Sequence, residues 1–102
     1  MGIERIIPFG EEKAISREML CQLTGDSDRR VRQRIEDARR EGNIIINTQN
    51  GKGYFRLDPD ELNESDLAAI SRQYWQNKHR ALSVLSYQKH LRRILKAHDM
   101  KV

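Results

Sequence analysis

The segment Asp26–Gly42, DSDRRVRQRIEDARREG, constrains the fold more than any other stretch of the chain. Its apolar residues Val31, Ile35 and Ala38 fall at i, i+4 and i+7, on one face of a helix, which leaves that helix a single narrow stripe to bury. Ser27 stands where an N-cap stands, Asp28 puts a negative charge in the first turn, and Gly42 follows Glu41 as a stop. Arg29, Arg30, Arg32, Arg34, Arg39 and Arg40 surround the stripe. Within residues 29–40 only Glu36 and Asp37 oppose them, so that window carries +4. Such a helix is either a solvated cationic face or, where its flanks agree, a reader of the major groove.

The flanks are informative. Upstream, Ile3, Ile6 and Ile7 form an apolar cluster that Pro8 ends, which limits any helix there to about two turns. Phe9 is expected to pack, Gly10–Lys13 to form a polar turn and Ala14-Ile15 a minimal strand. Ser16 is an N-cap for a helix Arg17–Leu23 that Thr24-Gly25 closes, with Met19, Leu20 and Leu23 as its expected buried face. Cys21, mid-helix, is expected to pack as a small hydrophobe. Downstream, the β-branched run Ile44-Ile45-Ile46 reads as a strand, Asn50-Gly51 as a hairpin turn and Tyr54–Leu57 as the returning strand, which Asp58-Pro59-Asp60 stops. Helix, Gly turn, second helix and hairpin together make a winged helix-turn-helix over residues 1–60. The expected class is mostly α with a small β-hairpin wing, an α+β fold, followed by a long C-terminal helix.

The run ISREMLCQLTGDSDRRVRQRIEDARREGNIIINTQNGKGYFRL, residues 15–57, resembles the winged helix-turn-helix module at the N-terminus of the bacterial biotin-operon repressor and related regulators. The matching features are Ile15-Ser16 before the first helix of the motif, Leu20 and Leu23 within it and Gly25 in the turn. Val31 and Ile35 match in the second helix, and Gly51-Lys52-Gly53-Tyr54 closes the strand–turn–strand. More loosely, the chain is similar to small winged-helix proteins encoded by bacteriophages and prophages. It departs from the repressor pattern in its short, Pro-terminated first segment Ile3–Ile7, and no ligase domain follows, so biotin chemistry is not expected.

The resemblance implies that the second helix enters the major groove of double-stranded DNA. Opposite its apolar stripe lie Arg29, Gln33, Glu36 and Arg40, with Arg32 and Asp37 on the flanks. Arg29, Arg32 and Gln33 are the candidate base readers, because arginine pairs bidentately with guanine and glutamine with adenine. Asp28 either accepts from cytosine or caps the helix and repels phosphate; Ser27 caps beside it. Arg30, Arg34, Arg39 and Arg40 are expected to meet phosphate or solvent. Lys52 in the wing reaches the DNA backbone or minor groove, and Asn50 either donates there or builds the turn. Ser16 and Arg17, at a helix start, are expected near a phosphate. Gly51-Lys52-Gly53 is too short for a nucleotide loop, and no helix follows it.

Residues 61–98 contain no Gly or Pro. Asn63 or Ser65 can cap a helix beginning near Asp66, and from there a seven-residue repeat runs through Leu67, Ile70, Tyr74, Asn77, Ala81, Val84, Gln88, Leu91, Leu95 and His98. Leu82, Leu85 and Ile94 widen the stripe. A helix of roughly 30 residues is about 45 Å long, more than a small winged domain covers, so its stripe needs a partner. Three arrangements are open: pairing with a second copy in a homodimer, a break near Asn77–Arg80 into a hairpin that folds back, or docking on another protein. The basic residues Arg72, Lys78, Arg80, Lys89, Arg92, Arg93 and Lys96 touch phosphates or form a solvated outer face.

Composition sets outer limits. The 102 residues carry +4, all of it in residues 61–102, since residues 1–60 are neutral overall. One cysteine excludes an internal disulfide framework and a cysteine-based zinc site. Met1–Gly10 carries Glu4 and no long apolar core, and no apolar run approaches a membrane span, so a cytoplasmic protein is expected. His79, His90 and His98 are too far apart on one helix for a single metal site, and no carboxylate pair converges; neither a cofactor nor an enzyme is expected. The functional expectations are a dimeric, sequence-specific transcriptional regulator, an accessory or architectural DNA-binding protein of phage replication or packaging, and a protein-interaction module built on a winged helix.

Overall fold

A computed structural model describes residues 2–102. They form two compact units, one running through Ile70 and one from Ser71 to Val102. The first unit opens with one turn of 3-10 helix at Ile3–Arg5 and another at Glu11–Lys13. Strand β1 (Ile15–Ser16), helices α1 (Arg17–Thr24) and α2 (Asp28–Arg40) and strands β2 (Ile44–Asn47) and β3 (Gly53–Leu57) follow. Helix α3 (Glu64–Ala97) begins in this unit. The class is α+β: mostly helix, with a three-stranded antiparallel sheet in the order β1-β3-β2. Among the described residues no helix is long and apolar enough to cross a membrane.

Local chemistry sets the element ends. The Ser16 hydroxyl accepts from the Met19 amide at 3.0 Å, and the Ser27 hydroxyl accepts from the Arg30 amide at 3.1 Å, so each of the first two helices begins on a serine cap. Gly25 ends α1 at φ 75°, where a β-carbon is strained, and its amide donates to the Cys21 carbonyl. The wing turn closes on itself. Thr48 donates its amide to the Gly53 carbonyl, and the Thr48 hydroxyl accepts from the Gly53 amide. Asn63, not Ser65, caps α3. Its side chain accepts from the Asp66 amide at 2.8 Å while the Asp66 carboxylate accepts from the Asn63 amide at 3.1 Å, a reciprocal capping box.

The sheet separates two apolar clusters. On one side Ile3, Ile7, Leu20, Val31, Ile35 and Ala38 pack with Ile45 and Tyr54. On the other, Ile46, Phe55 and Leu57 pack with Ala69, flanked by Ile44, Leu62 and Ile70. The alternation Ile45/Ile46 and Tyr54/Phe55 follows from strand geometry, and the register Ile45↔Arg56, Ile46↔Phe55 holds it. The N-terminal segment is tied to β3 at Arg56, beyond the two residues that pair with β1. The Arg56 amide donates to the Pro8 carbonyl at 2.7 Å, the Gly10 amide donates to the Arg56 carbonyl, and Arg56 Nε donates to the Ile7 carbonyl. The Arg56 guanidinium also lies 4.1 Å from the centre of the Phe9 ring, so Phe9, half exposed, is covered by a cation rather than buried in the core.

Two expectations need correction, on α1 and α3, and the limit set by Pro8 holds. Only Leu20 of α1 is buried; Met19 and Leu23 are exposed. The inward stripe is Arg17, Leu20, Cys21 and Thr24, with Arg17 reaching the Tyr54 hydroxyl and Cys21 half-buried against the core. The segment around Ile3–Ile7 forms a single 3-10 turn, since Pro8 leaves too little chain for more. Helix α3 is unbroken from Glu64 to Ala97, so it makes no hairpin at Asn77–Arg80. At its start Ala69 is the buried residue while Leu67 is exposed and Ile70 half-buried, because the small side chain lets the helix approach the sheet. Tyr74, Asn77, Ala81, Val84, Gln88, Leu91 and Leu95 are all exposed.

Two substitutions separate the buried stripe of α2 from the exposed residues of α1. Ile35→Ala is expected to lower stability by about 2–5 kcal/mol, and Leu23→Ala by no more than about 0.5 kcal/mol, both read from urea unfolding. Ser27→Ala, which removes the α2 cap, is expected to cost roughly 1 kcal/mol in the same measurement.

Candidate nucleic-acid interface

The starts of α1 and α2 and the tip of the β2–β3 wing surround one open cleft of about 500 Å³, lined by Ser16, Arg17, Glu18, Cys21, Asp28, Gly51 and Lys52. Asp28 ties these elements together. One carboxylate oxygen accepts from Arg17 Nε, and the other forms an ion pair with Arg32 Nε at 3.1 Å. Arg17 also donates from Nη1 to the Tyr54 hydroxyl at 3.4 Å, which links the helix starts to the first residues of β3. That hydrogen bond, then the one to Asp28, raises the Arg17 pKa above its ordinary value. The groups are too exposed for these pairs to add much stability. They orient the two guanidinium groups instead. Asp28 is thus engaged by two arginines, beyond the capping or cytosine contact expected for it.

The outer face of α2 divides in two. From Gln33 onward, Gln33 Nε2 donates to Asp37 Oδ1 at 3.0 Å, and Arg40 pairs with Glu36 at 2.7 Å and with Asp37 at 3.7 Å. Glu36 and Asp37 outweigh Arg40 by one negative charge, and Arg40 and Gln33 are engaged within the helix. In the N-terminal half Arg29 and Arg30 are exposed, and among the described residues neither makes an ion pair. Positive charge therefore concentrates at the first turns of α2, with Arg17 alongside and Lys52 across the cleft.

Two of the six arginines serve the fold. Arg34 Nη1 pairs with Asp26 Oδ2 at 2.7 Å, and both are partly buried. Arg39 donates to the Ile45 carbonyl at 3.0 Å and to Asn47 Oδ1 at 2.7 Å, pinning α2 to β2. Both were expected to face phosphate or solvent, and their partners, displaced in sequence and brought close by folding, turn them inward. The serine hydroxyls of Ser16 and Ser27 are taken by capping. Asn50 builds the wing turn: its Oδ1 accepts from the Thr48 hydroxyl at 2.6 Å and from the Lys52 amide at 2.9 Å, while the Lys52 side chain is exposed at the tip.

Tyr54 is the site residue that pattern reading missed. It is buried, yet its hydroxyl reaches Arg17. A phenol in an otherwise aliphatic and Phe-lined core strand, directly after Gly51-Lys52-Gly53, is the signal in the sequence for such a contact. Comparison with known protein families, with curated proteins and with solved structures finds no match to this chain.

Proposed function

We propose that the chain binds double-stranded DNA in a sequence-specific manner and acts as a transcriptional regulator in the cytoplasm of a bacterial or phage-infected cell. In this reading α2 enters the major groove by its N-terminal half and the wing follows the backbone, as in the winged helix-turn-helix modules that residues 15–57 resemble. The observation that carries the reading is the gathering of cationic side chains around one cleft. Arg17 and Lys52 line it, Arg32 is held by the same carboxylate as Arg17, and Arg29 and Arg30 stand exposed on the adjoining turn. A helix start flanked by arginines and a lysine-tipped hairpin supplies both kinds of contact that duplex recognition uses, base edges in the groove and phosphates beside it.

The roles divide accordingly. Arg29 reads a base, since it leads the exposed face and has no ion pair to break among the described residues. Arg32 reads a second base or fixes the register, positioned by Asp28. Arg17, Arg30 and Lys52 neutralise phosphates. Gln33 reads only after leaving Asp37, so its contribution is smaller.

Selection of bound duplexes from a random pool at near-physiological salt tests the reading. An enriched motif is the expected result. Retention without enrichment identifies an architectural DNA-binding protein, and no retention by the folded chain removes DNA from its function. On the enriched site, Arg29→Ala is expected to cost about 1–3 kcal/mol and to relax one base position, whereas Lys52→Ala weakens all duplexes alike and lowers the salt slope by about one. Asp28→Asn removes the anion from a cationic face, so at low salt it is expected to tighten binding to random duplex and steepen the salt slope, read by fluorescence anisotropy. Weaker binding would mean that Asp28 contributes more by holding Arg17 and Arg32 than it costs by repelling phosphate.

A further inference from the structure

We infer that α3 docks on a second copy of itself, lying antiparallel. From Tyr74 to Val102 every residue is exposed, and Tyr74, Trp75, Leu82, Val84, Leu85, Tyr87, Leu91, Ile94 and Leu95 leave a long apolar surface in water. The pattern along this surface names its occupant. About the midpoint between Leu82 and Ser83, Tyr74 mirrors Leu91, Asn77 mirrors Gln88 and Ala81 mirrors Val84. A two-fold axis through that point sets each of these seam residues against its mirror in the other helix. Large then meets large, amide meets amide, and the two smallest side chains share the central layers.

Two physical arguments select this arrangement. The first is the amides. Closing an apolar partner over Asn77 and Gln88 would bury unpaired polar groups, at a cost comparable to the hydrogen bonds lost. Asn77 Oδ1 already accepts from Gln73 Nε2 at 3.1 Å, which leaves the Asn77 NH2 group to donate to Gln88 Oε1 of the second copy. The second is volume. A parallel pair would set Ala81 against Ala81, with a gap between them, whereas the antiparallel pair fills that layer with Val84.

Charge agrees with the same geometry. Antiparallel pairing brings Lys78 beside Leu85 and Arg80 beside Tyr87 of the other helix, so no two cations meet along the seam. Arg72, Lys89, Arg93 and Lys96 fall on outer positions of the repeat. Between Asp66 and Asp99 the chain has seven Lys and Arg and no Asp or Glu, so along that stretch two copies repel one another and salt screens the repulsion. An acidic protein partner, the competing occupant, has the opposite salt dependence.

Sedimentation equilibrium of the whole chain at low and high salt is the test, and it is independent of DNA binding. The expected result is a dimer that tightens as salt rises. Val84→Asp, on the seam, returns the mass to monomer, while Ser86→Asp, the same charge change on the outer face, leaves the dimer intact. Orientation is read by cross-linking in a Cys21→Ala background: Ala81→Cys and Val84→Cys chains form a disulfide when mixed and not when oxidised separately. A monomer at every salt concentration, an association that loosens with salt, or a cross-link from Ala81→Cys alone each overturns the proposal.

Discussion

Helix α2 can be buried in only one way. Val31, Ile35 and Ala38 are its only apolar residues, all three are buried, and every other position in the helix is polar or charged. Turning the helix by a quarter would bring arginines against the Ile3, Ile7 and Leu20 side chains. The stripe therefore sets the rotation of α2 about its own axis, and with it the direction of every arginine the helix carries. The Leu20, Ile45 and Tyr54 side chains complete the same cluster, so α1 and the hairpin take their positions from that stripe too. The candidate interface inherits its geometry from the core beneath it.

Charge then sorts the arginines that the stripe leaves outside. Arg34 and Arg39 are satisfied by Asp26 and by the β2 backbone and Asn47, Arg40 by Glu36 and Asp37, and Arg17 and Arg32 by the shared Asp28. The result is a gradient of pairing around the helix: Arg34 and Arg39 are partly buried with their partners, Arg32 and Arg40 are exposed with theirs, and Arg29 and Arg30 have no ion pair among the described residues. A formal count of charges in residues 29–40 misses this gradient, because it treats a guanidinium holding a carbonyl and one standing in water as equal.

What the sequence made legible was what depends on near neighbours. The two serine caps, the glycine stops, the Asn50-Gly51 turn and the α2 stripe are each set by residues within a few positions of one another, and each appears where the pattern puts it. What it left obscure depends on contacts between distant segments. The inward face of α1 includes Arg17, which finds Tyr54 and Asp28, neither of which a helical wheel contains. Ala69 rather than Leu67 meets the sheet because closeness of approach outweighs hydrophobicity there. Strand β1 was legible only as a fragment, since two residues become a strand by pairing with β3. For the interface, the residues around the cleft were legible, but which arginines stay exposed was not.

The strap that Pro8 and Gly10 make along β3 bears on the order in which the chain assembles. Arg56 and Ile7 are 49 positions apart, the hairpin ends Thr48 and Gly53 only five. Closing the long loop costs more chain entropy than closing the short one, and before β3 is paired with β2 there is no formed edge for the strap to bond. On loop entropy alone, closing the hairpin is favoured over docking the N-terminal segment. Ile3 and Ile7 lie in that same segment, so their burial beside Leu20 and Val31 depends on closing the same long loop.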